Sequence, residues 1–272
     1  MLVTETKGSR KTAPFSIALV CLAPECMSHD VTKEELMNTK QFAVVASFVF
    51  ALILVFAAPA RIQAQASKTA FPSMAPLDQY LMDRDAEVAL ARSAAPEAIS
   101  RDAKVLVLGR HGYETVAAGT NGFVCAVERS WMNLFDAPEY WNPEVRGAIC
   151  YNPPAARSVV PVVEMRTRMV LDGLSKEQMI ARIKAAYAKK ELPPLEPGSM
   201  GYMMSKQANL GSNGNAAHLM LYTPLMDGAN WGADLPKSPV HLIPMFKGAP
   251  EPIDVFIVGT GTWSDGTPAP VM

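Results

Sequence analysis

The chain has 272 residues, with 25 basic and 26 acidic side chains, a formal net charge of −1 and a pI near 6.4. This balance excludes the strongly basic surface by which most nucleic-acid-binding domains hold phosphates, so we expect no nucleic-acid partner. The sequence contains no Gly-x-Ser-x-Gly, Gly-x-x-x-x-Gly-Lys or His-Glu-x-x-His motif. The familiar hydrolase, phosphate-binding and zinc-protease sites are therefore unsupported.

Residues 37–66 have the three parts of a secretory signal peptide. Lys40 lies in a short basic start, Phe42 to Ala58 is an uncharged apolar run, and Ala64 to Ala66 is a small-x-small cleavage site. This order predicts a protein that is exported, to the periplasm or outside the cell. An uncleaved anchor is the alternative, although the run is short for a hydrocarbon core about 30 Å thick. We expect no stable membrane span after cleavage.

Residues 1–36 precede this signal and are polar and mixed in charge. They indicate either an over-long start, with Met37 as the true initiator, or a disordered extension. Cys21 and Cys26 lie here, but their spacing matches neither a thioredoxin-type pair nor half of a common zinc site. The remainder, 67–272, is long enough for a single well-packed domain.

Cys125 and Cys150 are the cysteines of the predicted mature chain. An oxidising compartment allows them to pair, so we predict a disulfide bond between them. The alternative is two separate buried thiols, because the sequence does not give the distance between them.

The first half of the mature chain predicts a helix followed by strands. Apolar residues among charged ones favour a helix over 76–95, ended by Pro96. Strand-like runs follow at 105–108, 113–117 and 123–127. An Asn-Gly pair lies between the last two runs and predicts a β-hairpin that joins them.

Residues 131–151 are rich in aromatic side chains and prolines and predict an irregular, packed loop. Asn152 can cap a helix that Pro161 breaks or kinks and that continues to residue 171. A second helix begins at Ser175, where Gln178 completes a capping box.

Short apolar runs separated by Gly, Asn and Pro indicate further strands at 202–204, 219–222, 240–245 and 255–258. The order of strands, helices and strands predicts a single α+β domain. Its antiparallel or mixed sheet would be covered by helices on one face.

Candidate ligand or acid/base residues are His218, His241 and His111, the histidines of the mature chain. His218 and His241 each open a short apolar strand, so a shared site at one sheet edge is geometrically possible. With Met203 and Met220 they would form a copper or zinc site, since thioethers and imidazoles are ligands that Cu(I) prefers.

The plainer interpretation is that these histidines bond loop backbone and that methionine fills the core. Asp227, Asp234 or Glu114 would be a further metal ligand, but the spacing selects none of them. Ser212 or Ser264 with His218 and Asp265 would make a nucleophilic triad, which only geometry identifies. The catalytic residues and the cofactor thus stay unknown at this point.

Four segments carry a family resemblance: Gly201 to Gln207, His218 to Met220, Trp231 to Ala233 and Trp263 to Gly266. With them, most of the mature chain resembles an uncharacterised family of exported bacterial proteins. The resemblance implies no established activity. Relatives can carry additional histidines just before the position of His218, where this chain has Asn213 to Ala217, which weakens the metal interpretation.

These observations predict an exported soluble protein that binds a small molecule or an envelope protein. The alternative is a hydrolase or metal-dependent enzyme that uses His218 and His241. Export and the absence of a catalytic motif favour the binding protein, whereas convergence of the two histidines with a carboxylate or serine would favour the enzyme.

Overall fold

The computed structural model describes residues 71–243 and 249–270. The predicted N-terminal extension (1–36) and signal peptide (37–66) lie outside the described residues. Those that are described belong to one compact unit, Gln65–Met272. Within them, no helix combines the length and the apolar character that crossing a bilayer requires.

Eight strands form one sheet: β1 Lys104–Gly109, β2 Gly112–Ala117, β3 Val124–Glu128, β4 Gly147–Tyr151, β5 Met200–Met203, β6 His218–Pro224, β7 Val240–Leu242 and β8 Ile253–Gly259. Their order across the sheet is β2-β1-β3-β4-β5-β6-β8-β7. The β1–β3 pair is parallel and the other neighbouring pairs are antiparallel. The predicted α+β class with a mixed sheet is confirmed.

The described α-helices are α1 Arg84–Arg92, α2 Glu97–Ser100, α3 Pro153–Ser158, α4 Val160–Leu171 and α5 Lys176–Ala188. Short 3₁₀ turns lie at Leu77–Gln79, Ser130–Met132, Gly211–Asn213 and Gly228–Trp231. Helices thus flank a central sheet whose strands come from both halves of the domain.

Both faces of the sheet are buried. Successive strand residues point to opposite sides, and each of the two sets packs in its own apolar cluster. On one face, Cys125 packs with Ala91 of α1 in one apolar cluster. On the other face, Val124 and Ala126 pack with Val163 of α4. The larger helical layer, built around α3 and α4, covers this second face, and α1 adds a smaller cover on the first.

The predicted β-hairpin between 113–117 and 123–127 is wrong. β2 forms its hairpin with β1, while β3 lies parallel to β1 on its other side. The loop with the Asn-Gly pair instead folds against the start of β1. There Gly119 has a φ of +68°, and a Cβ on it would collide with the backbone of Lys104. Glycine is required at this position because the two backbones touch.

The helix predicted over 76–95 begins later than expected. Residues 77–79 form a 3₁₀ turn, and α1 starts only after Asp83, whose side chain accepts a hydrogen bond from the Ala86 amide. An N-cap of this kind fixes the first turn of the helix. The helix also ends earlier than predicted, at Arg92, and Pro96 is instead the residue that precedes α2.

Both later helices begin at the predicted caps. The Asn152 side chain accepts from the Ala155 amide, and the helix is interrupted around Val159 before α4 runs to Leu171. Ser175 and Gln178 form the predicted capping box of α5. The predicted irregular loop over 131–151 is correct only as far as residue 146, because its last five residues form β4.

The predicted disulfide between Cys125 and Cys150 is confirmed. The two residues are direct partners in the β3–β4 register, with their Cα atoms 4.0 Å apart, and both are fully buried. Cross-linking residues separated by 25 positions contributes roughly 3 kcal/mol to stability in the chain-entropy model.

A buried ion pair joins α1 to the sheet. Arg129 donates from Nη2 to Glu87 Oε2 at 2.9 Å and from Nε to the Tyr80 carbonyl at 2.8 Å, and both charged side chains are fully buried. Glu87 Oε1 also accepts the Leu108 amide at 3.1 Å. Because each charge is paired and hydrogen-bonded, this pair fixes where α1 lies on the sheet.

Candidate functional site

The structure places His218 and His241 on the same face of the sheet but in different surroundings. His218 pairs with Gly259 and His241 with Ile257, on opposite sides of β8. Strand spacings put their Cα atoms about 12 Å apart. The His218 ring is buried, and its Nδ1 lies 2.7 Å from the Ala216 carbonyl.

Burial lowers the pKa of His218, and the hydrogen bond to Ala216 opposes that shift only in part. His218 is therefore a neutral side chain held by loop backbone. The His241 ring is more exposed and lies 3.2 Å from the Asp234 carboxylate. Asp234 is thus the carboxylate that approaches one of the predicted histidines.

The predicted methionine ligands lie close to His218 in the register. Met203 is its direct partner on β5, and Met220 is two residues further along β6 on the same face. Both methionines are buried in the apolar cluster under α4, where the Tyr222 hydroxyl donates to the Met220 sulfur at 3.7 Å. In the part of the chain that the structure describes, no cluster of three or more His, Cys, Asp or Glu side chains could hold a metal.

His111 and Asp265 lie apart from these residues. His111 is exposed in the turn between β1 and β2. Four strand positions separate β1 from β6, which puts His111 more than about 19 Å from His218. Asp265 is held by Lys206 and Thr267. The Asp265 carboxylate that was considered for a triad with His218 therefore already accepts hydrogen bonds from other groups.

A cavity between the sheet and α4 brings together polar groups that the sequence analysis did not single out. It encloses about 60 Å³ and is lined by Glu128, Met132, Tyr151, Val159, Val162, Val163, Arg166, Met220, Tyr222, Glu251, Ile253 and Val255. On this measure a water needs roughly 10–15 Å³, so there is room for about four to six water-sized groups.

Helical and strand periodicity aim these side chains at one space. Val159, Val163 and Arg166 recur at the spacing that puts residues on one helix face. Glu128 ends β3 on the face of Val124 and Ala126. Helix α4 therefore places Arg166, and strand β3 places Glu128, at a core-facing position where an apolar residue is usual.

Glu128 is the unusual group of the cavity. Its Oε1 accepts a hydrogen bond from the Tyr151 hydroxyl. Burial raises the pKa of Glu128 to about 7, against the opposing effects of that hydrogen bond and of the nearby Arg166 charge. A carboxyl group with this pKa exchanges its proton near neutral pH, which is common at functional sites.

Arg166 belongs to a separate hydrogen-bond set. It donates to both oxygens of Glu251, at 2.7 and 2.9 Å. Its Nη1 lies 3.0 to 3.4 Å from the three carbonyls of residues 131–133. Both side chains of this ion pair are nearly inaccessible. The Arg166 charge is thus paired with Glu251, and among the described residues Glu128 forms no ion pair.

A shallower groove of about 330 Å³ lies at the other side of Tyr222, between Leu195–Met200 and the end of β6. Trp231 lines it and stacks on Phe256 with 4.7 Å between ring centroids. The Glu196 carboxylate in its wall is bound by Arg157 at 2.7 Å. The groove is apolar and offers a contact surface, whereas the cavity offers a titratable group.

Sequence reasoning missed the cavity because its charged residues belong to no spacing motif. A weak signal was present, since Arg166 falls on the apolar stripe of α4 and Glu128 on the buried side of an apolar strand. A charged residue at a core position requires a partner or a function. The partners of such a residue are set by tertiary packing, so the sequence does not identify them.

Comparison of the chain with protein-family models, curated proteins and solved structures gives no significant match. The functional argument therefore depends on the cavity and its chemistry.

Proposed function

We propose that this protein is an exported binding protein that holds a small molecule in the cavity beside Glu128 and does not transform it. The observation that carries the proposal is a largely apolar cavity with a few convergent polar groups, among them a carboxyl whose pKa is raised to about 7. That combination is typical of small-ligand sites.

Export is supported by the predicted signal peptide and by the disulfide, because such bonds persist in oxidising compartments. We infer a periplasmic or secreted location on this basis. Binding of an envelope protein is the other form of the proposal, and the apolar groove beside Trp231 would be the surface for it.

The hydrolase or metal-dependent enzyme that uses His218 and His241 stays a prediction. It has less support because the His218 ring is buried and bonded to loop backbone, while strand spacing puts the Cα atoms of the two histidines about 12 Å apart. Substituting His218 with Ala would abolish the turnover of such an enzyme.

Cavity filling tests the proposed function. The purified protein is screened by thermal shift against small neutral, cationic and anionic fragments, alongside V163M and the control V170M. Val163 lines the cavity, whereas Val170 lies on the same helix in a different apolar cluster. We expect a fragment to raise the melting temperature of the wild type and V170M but not of V163M.

The two variants also report on the empty space itself. Overpacking a filled core costs roughly 1–3 kcal/mol, so V170M should be destabilised by that amount. V163M should lose less because the added atoms enter the cavity. Equal destabilisation, together with the absence of any fragment that binds at the cavity, would rule out the proposed site.

A further inference from the structure

Among the described residues that line the cavity, Glu128 is the charged group without an ion-pair partner. Among residues 71–243 and 249–270, the Tyr151 hydroxyl is the hydrogen-bond donor to Glu128. Arg166 directs its donors to Glu251 and to backbone carbonyls. A ligand that enters the cavity therefore meets a carboxylate that can accept further hydrogen bonds and a guanidinium whose charge is paired with Glu251.

Two aromatic rings stand beside that carboxylate. Tyr151 and Tyr222 both line the cavity, with their ring centroids 6.3 Å apart. Tyrosine faces carry negative electrostatic potential and attract cations within about 6 Å of the ring centroid. Aromatic rings combined with a carboxylate form an environment that stabilises positive charge and disfavours anions.

The rest of the lining sets the size and the polarity of the ligand. Methionine and valine side chains make up most of the wall, with Met220, Val163 and Val255 among them. The volume of about 60 Å³ holds roughly four to six heavy atoms when each is counted as one water. A short alkyl chain fits this space and buries its apolar surface there.

We propose that the cavity binds a small organic cation, an ammonium group on a short alkyl chain, with the ammonium between Glu128 and the tyrosine rings. This inference rests on the proposed function and narrows it to one ligand class. The ammonium donates to the free oxygen of Glu128, and the alkyl chain lies along the valine and methionine wall.

The test compares three probes of similar length by isothermal titration calorimetry at pH 8 and matched ionic strength: n-butylammonium, 1-butanol and butyrate. Butylammonium should bind at least tenfold more tightly than 1-butanol, and butyrate should bind most weakly. E128Q should reduce the affinity for butylammonium at least tenfold and leave that for 1-butanol unchanged. E114Q, which removes an exposed carboxylate of β2, should behave like the wild type.

The pH dependence of the unmodified protein is a second readout. The titratable and charged groups near Glu128 are Tyr113 of β2, Tyr151 of β4, Tyr222 of β6, Arg166 of α4 and Glu251, which pairs with Arg166. The tyrosines have raised pKa values and stay neutral near pH 7. Because only ionised Glu128 attracts the cation, affinity should rise about tenfold from pH 6 to pH 8.

Tyrosine variants separate the ring from its hydroxyl. Y222F keeps the aromatic face and should retain butylammonium binding, whereas Y222L should weaken it. If E128Q does not fold, Y222F, Y222L and the pH series test whether the ligand is a cation.

Equal affinities for butylammonium and 1-butanol that are insensitive to E128Q would overturn the cation assignment while the cavity remained a ligand site. Failure of every fragment to bind at the cavity would overturn the proposed function as well.

Discussion

Glu128→Gln should change how the stability of the protein depends on pH. The carboxyl of Glu128 has its pKa raised from 4.5 to about 7. Between these values the folded state therefore holds a proton that the unfolded state has released. By linkage, that preference stabilises the fold fully below the unfolded pKa and is lost as the pH rises through the folded pKa.

The size of the effect follows from that shift. One pKa unit corresponds to about 1.4 kcal/mol, so the raised pKa makes Glu128 destabilising by about 3 kcal/mol when the pH is well above 7. Between pH 5 and pH 8 the wild type should lose between about 2 and 3 kcal/mol from this group. Glutamine has a similar shape and no titration, so E128Q should lose none of it.

Urea unfolding at pH 5 and pH 8, followed by circular dichroism, measures both proteins. The change in unfolding free energy between the two pH values must be compared between wild type and E128Q, because His218 also titrates in this range. The lowered pKa of His218 acts in the opposite direction, since stability falls as the pH drops below the unfolded value. That contribution is the same in the two proteins and cancels. If the free energy of unfolding changes with pH to the same extent in wild type and E128Q, the pKa of Glu128 is not raised and the reasoning is refuted.

Three further predictions concern the rest of the domain. R129M should lower the free energy of unfolding, measured with urea, by about 3–5 kcal/mol, because it leaves the buried Glu87 carboxylate unpaired. The control R157M, in an exposed pair, should lower it by less than about 1 kcal/mol. Equal losses would contradict the burial argument. Replacing Cys125 and Cys150 together with alanine should cost about 2–4 kcal/mol, and an unchanged urea midpoint would argue against a stabilising disulfide. The exported protein should have an intact mass that begins at Ser67, whereas a mass that retains the signal would contradict cleavage.

The sequence predicts those parts of the fold that depend on local chemistry. The capping box at Ser175 and the cap at Asn152 are satisfied within a few residues of the chain, so their position can be recognised directly. The disulfide was predictable because few cysteines remain after the signal. Helix α1 shows the limit, since Asp83 rather than the earlier proline sets its start.

Strand pairing could not be predicted in the same way. The Asn-Gly pair predicted a hairpin, but β3 lies parallel to β1, and the loop before it approaches the backbone of β1 at Gly119. Local turn preferences are small compared with the burial of a strand on both faces. Which strand a segment joins is therefore decided by the whole sheet.

The cavity is the feature that sequence patterns predict least well. Glu128, Arg166 and Glu251 come from three separate segments, and each has an ordinary solvent-exposed interpretation on its own. Their arrangement as a group is set by the fold: Arg166 pairs with Glu251, and Glu128 faces the cavity. The histidines drew attention in the sequence because their residue type is chemically versatile, whereas their surroundings in the fold are set by packing.

Methyl NMR of the methionines is the most direct measurement of the central claim that the cavity is a ligand site. Met220 lines the cavity and Met200 lines the groove, so the two methyl signals report separately on the two places. The protein with labelled methionine methyls is titrated with n-butylammonium at pH 8. We predict a saturable shift of the Met220 signal and no shift of Met200. An unmoved Met220 signal at saturating probe, or a shift confined to Met200, would contradict the account.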